Sequence, residues 1–138
     1  MKTELSLKFE FSAFHSLSVR EEPHKHLWKV EVRIQGSPIG GMLVNMTEVR
    51  ENIEVLLSQL ESSYLNQNPT LPKEVQTSPT CETLGSYFYF VIGDMLQHNF
   101  FPRNPSLCLS SVEVTICEEN GFEWGSAKLY STLNDPEN

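Results

Sequence analysis

Two stretches near the start of the chain alternate apolar and polar residues with a period of two, and both carry histidine at one end. Residues 3–15 place Leu5, Leu7, Phe9, Phe11 and Ala13 on one face, with Lys8, Glu10 and Ser12 opposite. Residues 24–35 repeat the pattern on even numbers, with Trp28, Val30, Val32 and Ile34 inward and Lys29, Glu31 and Arg33 outward. A period of two means a half-buried strand, because successive side chains point to opposite faces. His15 extends the first apolar face, and His24 and His26 extend the second. An H-x-H pair on a strand directs both rings to the same side. If the two strands are antiparallel neighbours, the end of one lies beside the start of the other, and His15 faces His24 and His26.

After the second strand, QGSPIGG reads as a turn. Asn45 and Glu48 form a capping pair, and Met46, Val49, Ile53, Leu56 and Leu60 follow at helical spacing. A polar, proline-containing loop is expected over about 62–79. A second helix starts near Thr80, carries Leu84, Phe88, Val91, Ile92 and Met95, and runs to about His98 before FPRNP ends it. Strands are expected at 107–118, with Val112, Val114 and Ile116 on one face, and at 122–131. The order ββααββ implies an α+β domain: an antiparallel sheet with both helices on one face. No repeat or low-complexity segment interrupts the 138 residues, so one domain over 1–138 is expected.

Three neutral imidazoles suit Zn2+, and three protein ligands leave a fourth position open, as in catalytic zinc sites. A lone histidine at a strand end is ordinarily just a polar residue. Three of the four histidines in phase with two core faces are another matter. His98 has no such company and reads as a helix-end residue. Cys81, Cys108 and Cys117 are too few and too scattered for a disulfide framework, and none forms a CxxC pair. A net charge of −8 without a basic stripe argues against nucleic acid. No apolar run approaches the roughly 20 residues that span a bilayer, and MKTELSLKFEF lacks the uninterrupted apolar core of a signal peptide. A cytoplasmic protein with no membrane partner is the expectation.

Six segments in chain order resemble motifs of the 6-pyruvoyl-tetrahydropterin synthase family, which includes the 6-carboxy-tetrahydropterin synthases. FSAFHSL at 11–17 resembles F-S-A-x-H, and HKHLWKVEVRIQG at 24–36 resembles H-G-H-x-(Y/W)-x-V-x-V-x-x-x-G. GMLVN at 41–45 resembles G-M-V-x-D, and LESSYLN at 60–66 resembles L-D-H-x-x-L-N. SPTCETL at 78–84 resembles P-T-x-E-N, and ICEE at 116–119 resembles x-x-E-T. The resemblance implies a tunnelling fold whose sheets join into a barrel, as trimers or hexamers. It also implies zinc on His15, His24 and His26, and a dihydropterin substrate such as 7,8-dihydroneopterin triphosphate. Glu118 maps onto the carboxylate that holds the pterin ring, and Thr80 and Cys81 onto further pterin contacts, with Glu82 close by. A carboxylate at that point can accept two parallel N–H bonds. Thr80 also reads as a helix cap and Glu82 as a first-turn acid favouring the helix dipole.

The chain departs from the family pattern at the proton-transfer groups. No cysteine lies between His15 and His24, where the loop reads SLSVREEP, and L-D-H is Leu60, Glu61 and Ser62. The glycine of H-G-H is Lys25, and the aspartate of G-M-V-x-D is Asn45. Each missing proton-transfer group is worth roughly 10²–10⁴-fold in rate. A third class within the family resembles E-x-x-H-G-H and uses glutamate in place of cysteine to release 6-hydroxymethyl-dihydropterin. Here Glu21-Glu22-Pro23-His24 gives E-x-x-H, making Glu21 the candidate base, with Glu61 in the aspartate position. Alternatives are a zinc- and pterin-binding homologue without catalysis, or a subunit that keeps only the barrel.

Overall fold

The computed structural model describes residues 1–18 and 20–131; residues 132–138 of the expected domain lie outside the described residues. The alternating stretches form strands β1 (Thr3–His15) and β2 (His24–Gly36). They pair antiparallel from Thr3↔Gly36 to His15↔His24. The late strands are β3 (Cys108–Cys117) and β4 (Glu123–Tyr130), and the sheet order is β1-β2-β3-β4.

Between the two hairpins run α1 (Met46–Ser58), a 3-10 turn at Leu65–Gln67, α2 (Lys73–Thr77) and α3 (Cys81–Asn99). The 62–79 segment is therefore more ordered than a loop. Pro72 at the N-cap of α2 starts a short helix that buries Val75. Asn45 Oδ1 accepts the Glu48 N–H at 3.3 Å and starts α1. Thr80 and Thr83 cap α3 reciprocally, at 3.1 and 3.0 Å, with threonine where the capping box usually carries Glu or Gln.

All helices lie on one face of the sheet. Leu7, Phe9, Phe11 and Ala13 of β1, Trp28, Val30, Val32 and Ile34 of β2, and Val112 and Val114 of β3 share one core. Val49, Ile53 and Leu57 of α1 and Leu84, Phe88, Ile92 and Leu96 of α3 close it. The opposite face carries an ion-pair lattice: Arg33 to Glu31 at 2.9 Å, Arg33 to Glu4 at 3.3 Å and Lys29 to Glu123 at 3.3 Å.

An edge strand offers unpaired backbone groups that must find partners or water. At the histidine end of β1, residues 61–66 supply them. Ser12 N–H donates to Glu61 Oε2 at 2.9 Å, and Ser62 N–H to Ser12 O at 2.6 Å. Phe14 N–H donates to Ser63 O at 2.8 Å. Asn66 clamps the next residue, accepting Ser16 N–H at 3.0 Å and donating to Ser16 O at 2.8 Å. His15 thus leaves the strand on a pinned backbone.

Candidate metal centre

The β1–β2 register brings His15, His24 and His26 together. One nitrogen of each lies within 4.8 Å of the others', and ring centroids are 4.9 to 5.7 Å apart. His15 and His26 are buried at 5% exposure each, whereas His24 is exposed. Trp28 floors the cluster, edge-on to His15 at 5.1 Å and to His26 at 6.1 Å.

The hydrogen bonds fix which nitrogen each buried ring offers. His15 Nδ1 donates to Pro79 O at 2.8 Å, and His26 Nδ1 donates to Cys117 O at 3.0 Å. A carbonyl only accepts, so each Nδ1 carries a proton, and in the neutral ring Nε2 is the nitrogen with the lone pair. Metal-binding histidines are commonly held this way by their second nitrogen. Burial lowers the His15 pKa, opposed by the Pro79 carbonyl and reinforced by charge on His26 and His24. Three imidazoles gathered this closely suit zinc, and the donor set fits that ion.

Glu21 meets the cluster. Its Oε1 pairs with His24 Nε2, and its Oε2 accepts the Leu17 N–H at 3.0 Å. The Leu17 N–H is the main cause of its lowered pKa, with His24 and His15 contributing. Glu22, one residue on, is exposed. Glu61 is bonded to Ser12 N–H on the β1 edge, and its pairing there is with backbone.

Thr80 is the cap of α3, Glu82 is exposed in its first turn, and Cys81 is buried against the Ile116 backbone. Burial pushes the Cys81 thiol up to about 11 and the Cys117 thiol upward as well. Both stay protonated near neutrality, so neither substitutes for a reactive thiolate. Glu118 lies just past β3 rather than on it, opening a turn closed by Gly121 at φ +93°. Its Oε1 accepts the Trp124 indole N–H at 3.2 Å, and the Trp124 ring lies 5.1 Å from His26. Trp124 therefore links the carboxylate to the histidines. His98 sits at the end of α3, bonded to Asp94 O at 2.8 Å.

The sequence pattern gave no sign of the Pro79 and Cys117 carbonyls, because backbone acceptors carry no residue signature. Trp124 was hidden for a related reason: a β-bulge, described below, turns it to the histidine side. A depression of about 910 Å³ lies elsewhere, running across the charged sheet face beside Lys29, Glu31, Glu61 and Glu123. The candidate metal centre is marked by its donor set rather than by a cavity.

An antiparallel four-stranded sheet backed by helices, with three histidines where its first two strands meet, defines a T-fold protein. The chain belongs to the 6-pyruvoyl tetrahydropterin synthase family, whose family model matches residues 4–126. Caenorhabditis elegans 6-pyruvoyl tetrahydropterin synthase is similar in structure with a TM-score of 0.70 at 16% identity, covering 95% of this chain and 96% of that one. An uncharacterized protein from Wolinella succinogenes gives 0.71 at 14%, covering 95% and 99%. A catalytic-residue mutant of Plasmodium vivax 6-pyruvoyltetrahydropterin synthase, glutamate replaced by alanine, gives 0.64 at 15%, covering 95% and 99%. No curated protein matches the sequence. Among the described residues no helix is long and apolar enough to cross a membrane.

Proposed function

We propose that this protein is a zinc-dependent lyase of a dihydropterin, 7,8-dihydroneopterin triphosphate or a close relative, and of the kind that uses glutamate to release 6-hydroxymethyl-dihydropterin. The observation that carries this reading is the Glu21 carboxylate against His24. Family membership supplies the pterin chemistry, and the P. vivax neighbour is a protein whose catalytic residue is a glutamate.

His15, His24 and His26 would hold the ion, which when bound supplies a Lewis acid for substrate oxygens. Glu21 takes a proton from a side-chain hydroxyl. Its Oε2 is held by Leu17 N–H, which fixes the carboxylate with Oε1 toward the cluster. Glu21 rather than Glu61 carries the proton in this reading, because Glu21 meets the histidine cluster whereas Glu61 is bonded to Ser12 N–H on the β1 edge. Glu118 accepts the paired N–H groups of the pterin edge. Thr80 and Cys81 border the ring at the start of α3.

A single tunnelling-fold domain over 1–138, cytoplasmic and assembled as a trimer or hexamer, completes the proposal. The edge strand β4, with Tyr130 uncovered, is what such an assembly would pair through its backbone. A second reading, a zinc- and pterin-binding homologue without turnover, is favoured by Ser62 and by the cysteine-free loop.

The deciding experiment incubates zinc-loaded protein with dihydroneopterin triphosphate and with dihydroneopterin, and separates the products chromatographically. A 6-substituted product supports the lyase; bound but unchanged substrate supports the binder. Glu21→Gln should cut turnover about 10²–10⁴-fold while keeping zinc, and Glu22→Gln should change little. Equal activity in wild type and Glu21→Gln would sink the assigned base.

A further inference from the structure

The last strand contains an irregularity that acts on the site. Along β3 and β4 the pairs run Val112↔Leu129, Val114↔Ala127 and Ile116↔Gly125, then jump to Cys117↔Glu123. Trp124 is the residue left over. In a regular strand it would share a face with Ser126 and Lys128, on the side away from the histidines. A bulge re-aims the residue it displaces, and bulges recur beside functional sites for that reason. Here it leaves Glu123 on the charged face, bonded to Lys29 at 3.3 Å, and turns the indole to His26.

The indole makes two contacts there. Its ring meets His26 at 5.1 Å and 73°, and its N–H reaches Glu118 Oε1 at 3.2 Å. The turn bringing Glu118 into reach is closed by Glu118 N–H to Phe122 O and Gly121 N–H to Glu118 O, both 2.8 Å. Trp124 is nevertheless 59% exposed, while Trp28 is fully buried. A side chain built on the next residue, Gly125, would meet nothing within 4 Å. The indole is positioned by two contacts but remains largely exposed.

We propose that Trp124 gates the site: its indole bridges His26 and Glu118 in the free protein, and a flat ligand with two adjacent N–H donors binds by taking Glu118 from it. This rests on the pterin reading of the same site. The selectivity follows from counting donors. The indole has one N–H, whereas an amino-pyrimidinone edge has two in parallel and can engage both carboxylate oxygens. A ligand with one donor merely trades places with the indole; a ligand with two gains a bond.

The test uses the full zinc-loaded chain and 7,8-dihydroneopterin. Dihydroneopterin should move the Trp124 indole N–H resonance and leave that of Trp28 in place. Trp124→Phe keeps an aromatic ring and removes the competing N–H, so calorimetry should show about three- to tenfold tighter binding. Glu118→Gln, without ligand, should shift the same indole resonance. Ligand binding with the Trp124 resonance unmoved and Trp124→Phe unchanged in affinity overturns the gate alone. No binding of dihydroneopterin or its triphosphate to wild type or Trp124→Phe overturns the pterin reading and the gate with it.

Discussion

Removing His26 separates two things the residue does, because its two nitrogens have different partners. Nδ1 holds Cys117 O at 3.0 Å, and the ring is 5% exposed between His15, Trp28 and Trp124. His26→Ala takes away a proposed zinc ligand and also leaves the carbonyl of a fully buried residue without the His26 donor. An orphaned acceptor costs about 1–3 kcal/mol, so the alanine variant loses stability even without metal. His26→Asn isolates the other function. An asparagine amide nitrogen occupies nearly the position of Nδ1 and can still donate to Cys117 O, but nothing replaces Nε2. Zinc held by four ligands in small domains is worth about 10–16 kcal/mol, so one ligand carries roughly 3 kcal/mol, about a hundredfold in Kd. The expected outcome for His26→Asn is a melting temperature close to that of wild-type apo protein with zinc affinity at least a hundredfold weaker. Competition against a chromogenic chelator and thermal melts with and without metal measure both. Wild-type zinc affinity in His26→Asn would refute the ligand assignment.

Asn66→Ala should cost about 1–2 kcal/mol in chemical denaturation, since both of its bonds to the Ser16 backbone vanish together. It should also weaken zinc binding several-fold by loosening the residue after His15; unchanged stability would contradict the clamp. Burial alone would raise the Glu31 pKa, but the hydrogen bonds from Arg33 and Ser6 and nearby positive charge outweigh it and hold it below its ordinary 4.5. A depressed folded-state pKa stabilises above the unfolded value and loses that contribution as pH falls through the folded one. Melting temperature should therefore fall below pH 4.5 in wild type and less steeply in Glu31→Gln; parallel profiles would dismiss the ion pair as a source of acid sensitivity. Light scattering at micromolar concentration should find an oligomer, and a monomer would contradict the barrel.

The parts of the molecule that were legible in the sequence are those in which one residue's identity implies its direction. Period-two alternation in 3–15 and 24–35 told which side each histidine faces, and antiparallel pairing told which ends meet. The observed His15↔His24 register is the product of those two statements. Caps worked likewise, because Asn45 and Thr80 act on backbone a few residues away. What stayed hidden depends on backbone groups or on breaks in periodicity. Glu118 looks in phase with Val112, Val114 and Ile116, yet the strand ends at Cys117 and a turn takes over. The side taken by Trp124 carries no signal in the sequence, because one bulge inverts what parity alone would give. The short helix α2 spans too few residues for a helical period to show.

The three histidines are not equally prepared for an ion. His15 and His26 are fixed by carbonyls 64 and 91 residues away in the chain, so the folded core sets their orientation before any ligand arrives. His24 is exposed, and its Nε2 is occupied by Glu21, a residue of the same short loop. A neutral imidazole nitrogen cannot donate a proton to a carboxylate and offer a lone pair to a cation at once. On the proposed reading, His24 Nε2 therefore serves either Glu21 or the ion. When it turns to the ion, Glu21 Oε1 loses its partner while Oε2 stays tied to Leu17 N–H. The carboxylate would then keep one oxygen on Leu17 N–H and have the other free to accept a proton. If His24 were to ligate through Nε2, holding the ion and freeing the Glu21 oxygen would be one rearrangement. Ligation through Nδ1 would instead keep Glu21 on the opposite nitrogen, as second partners of metal-binding histidines commonly are.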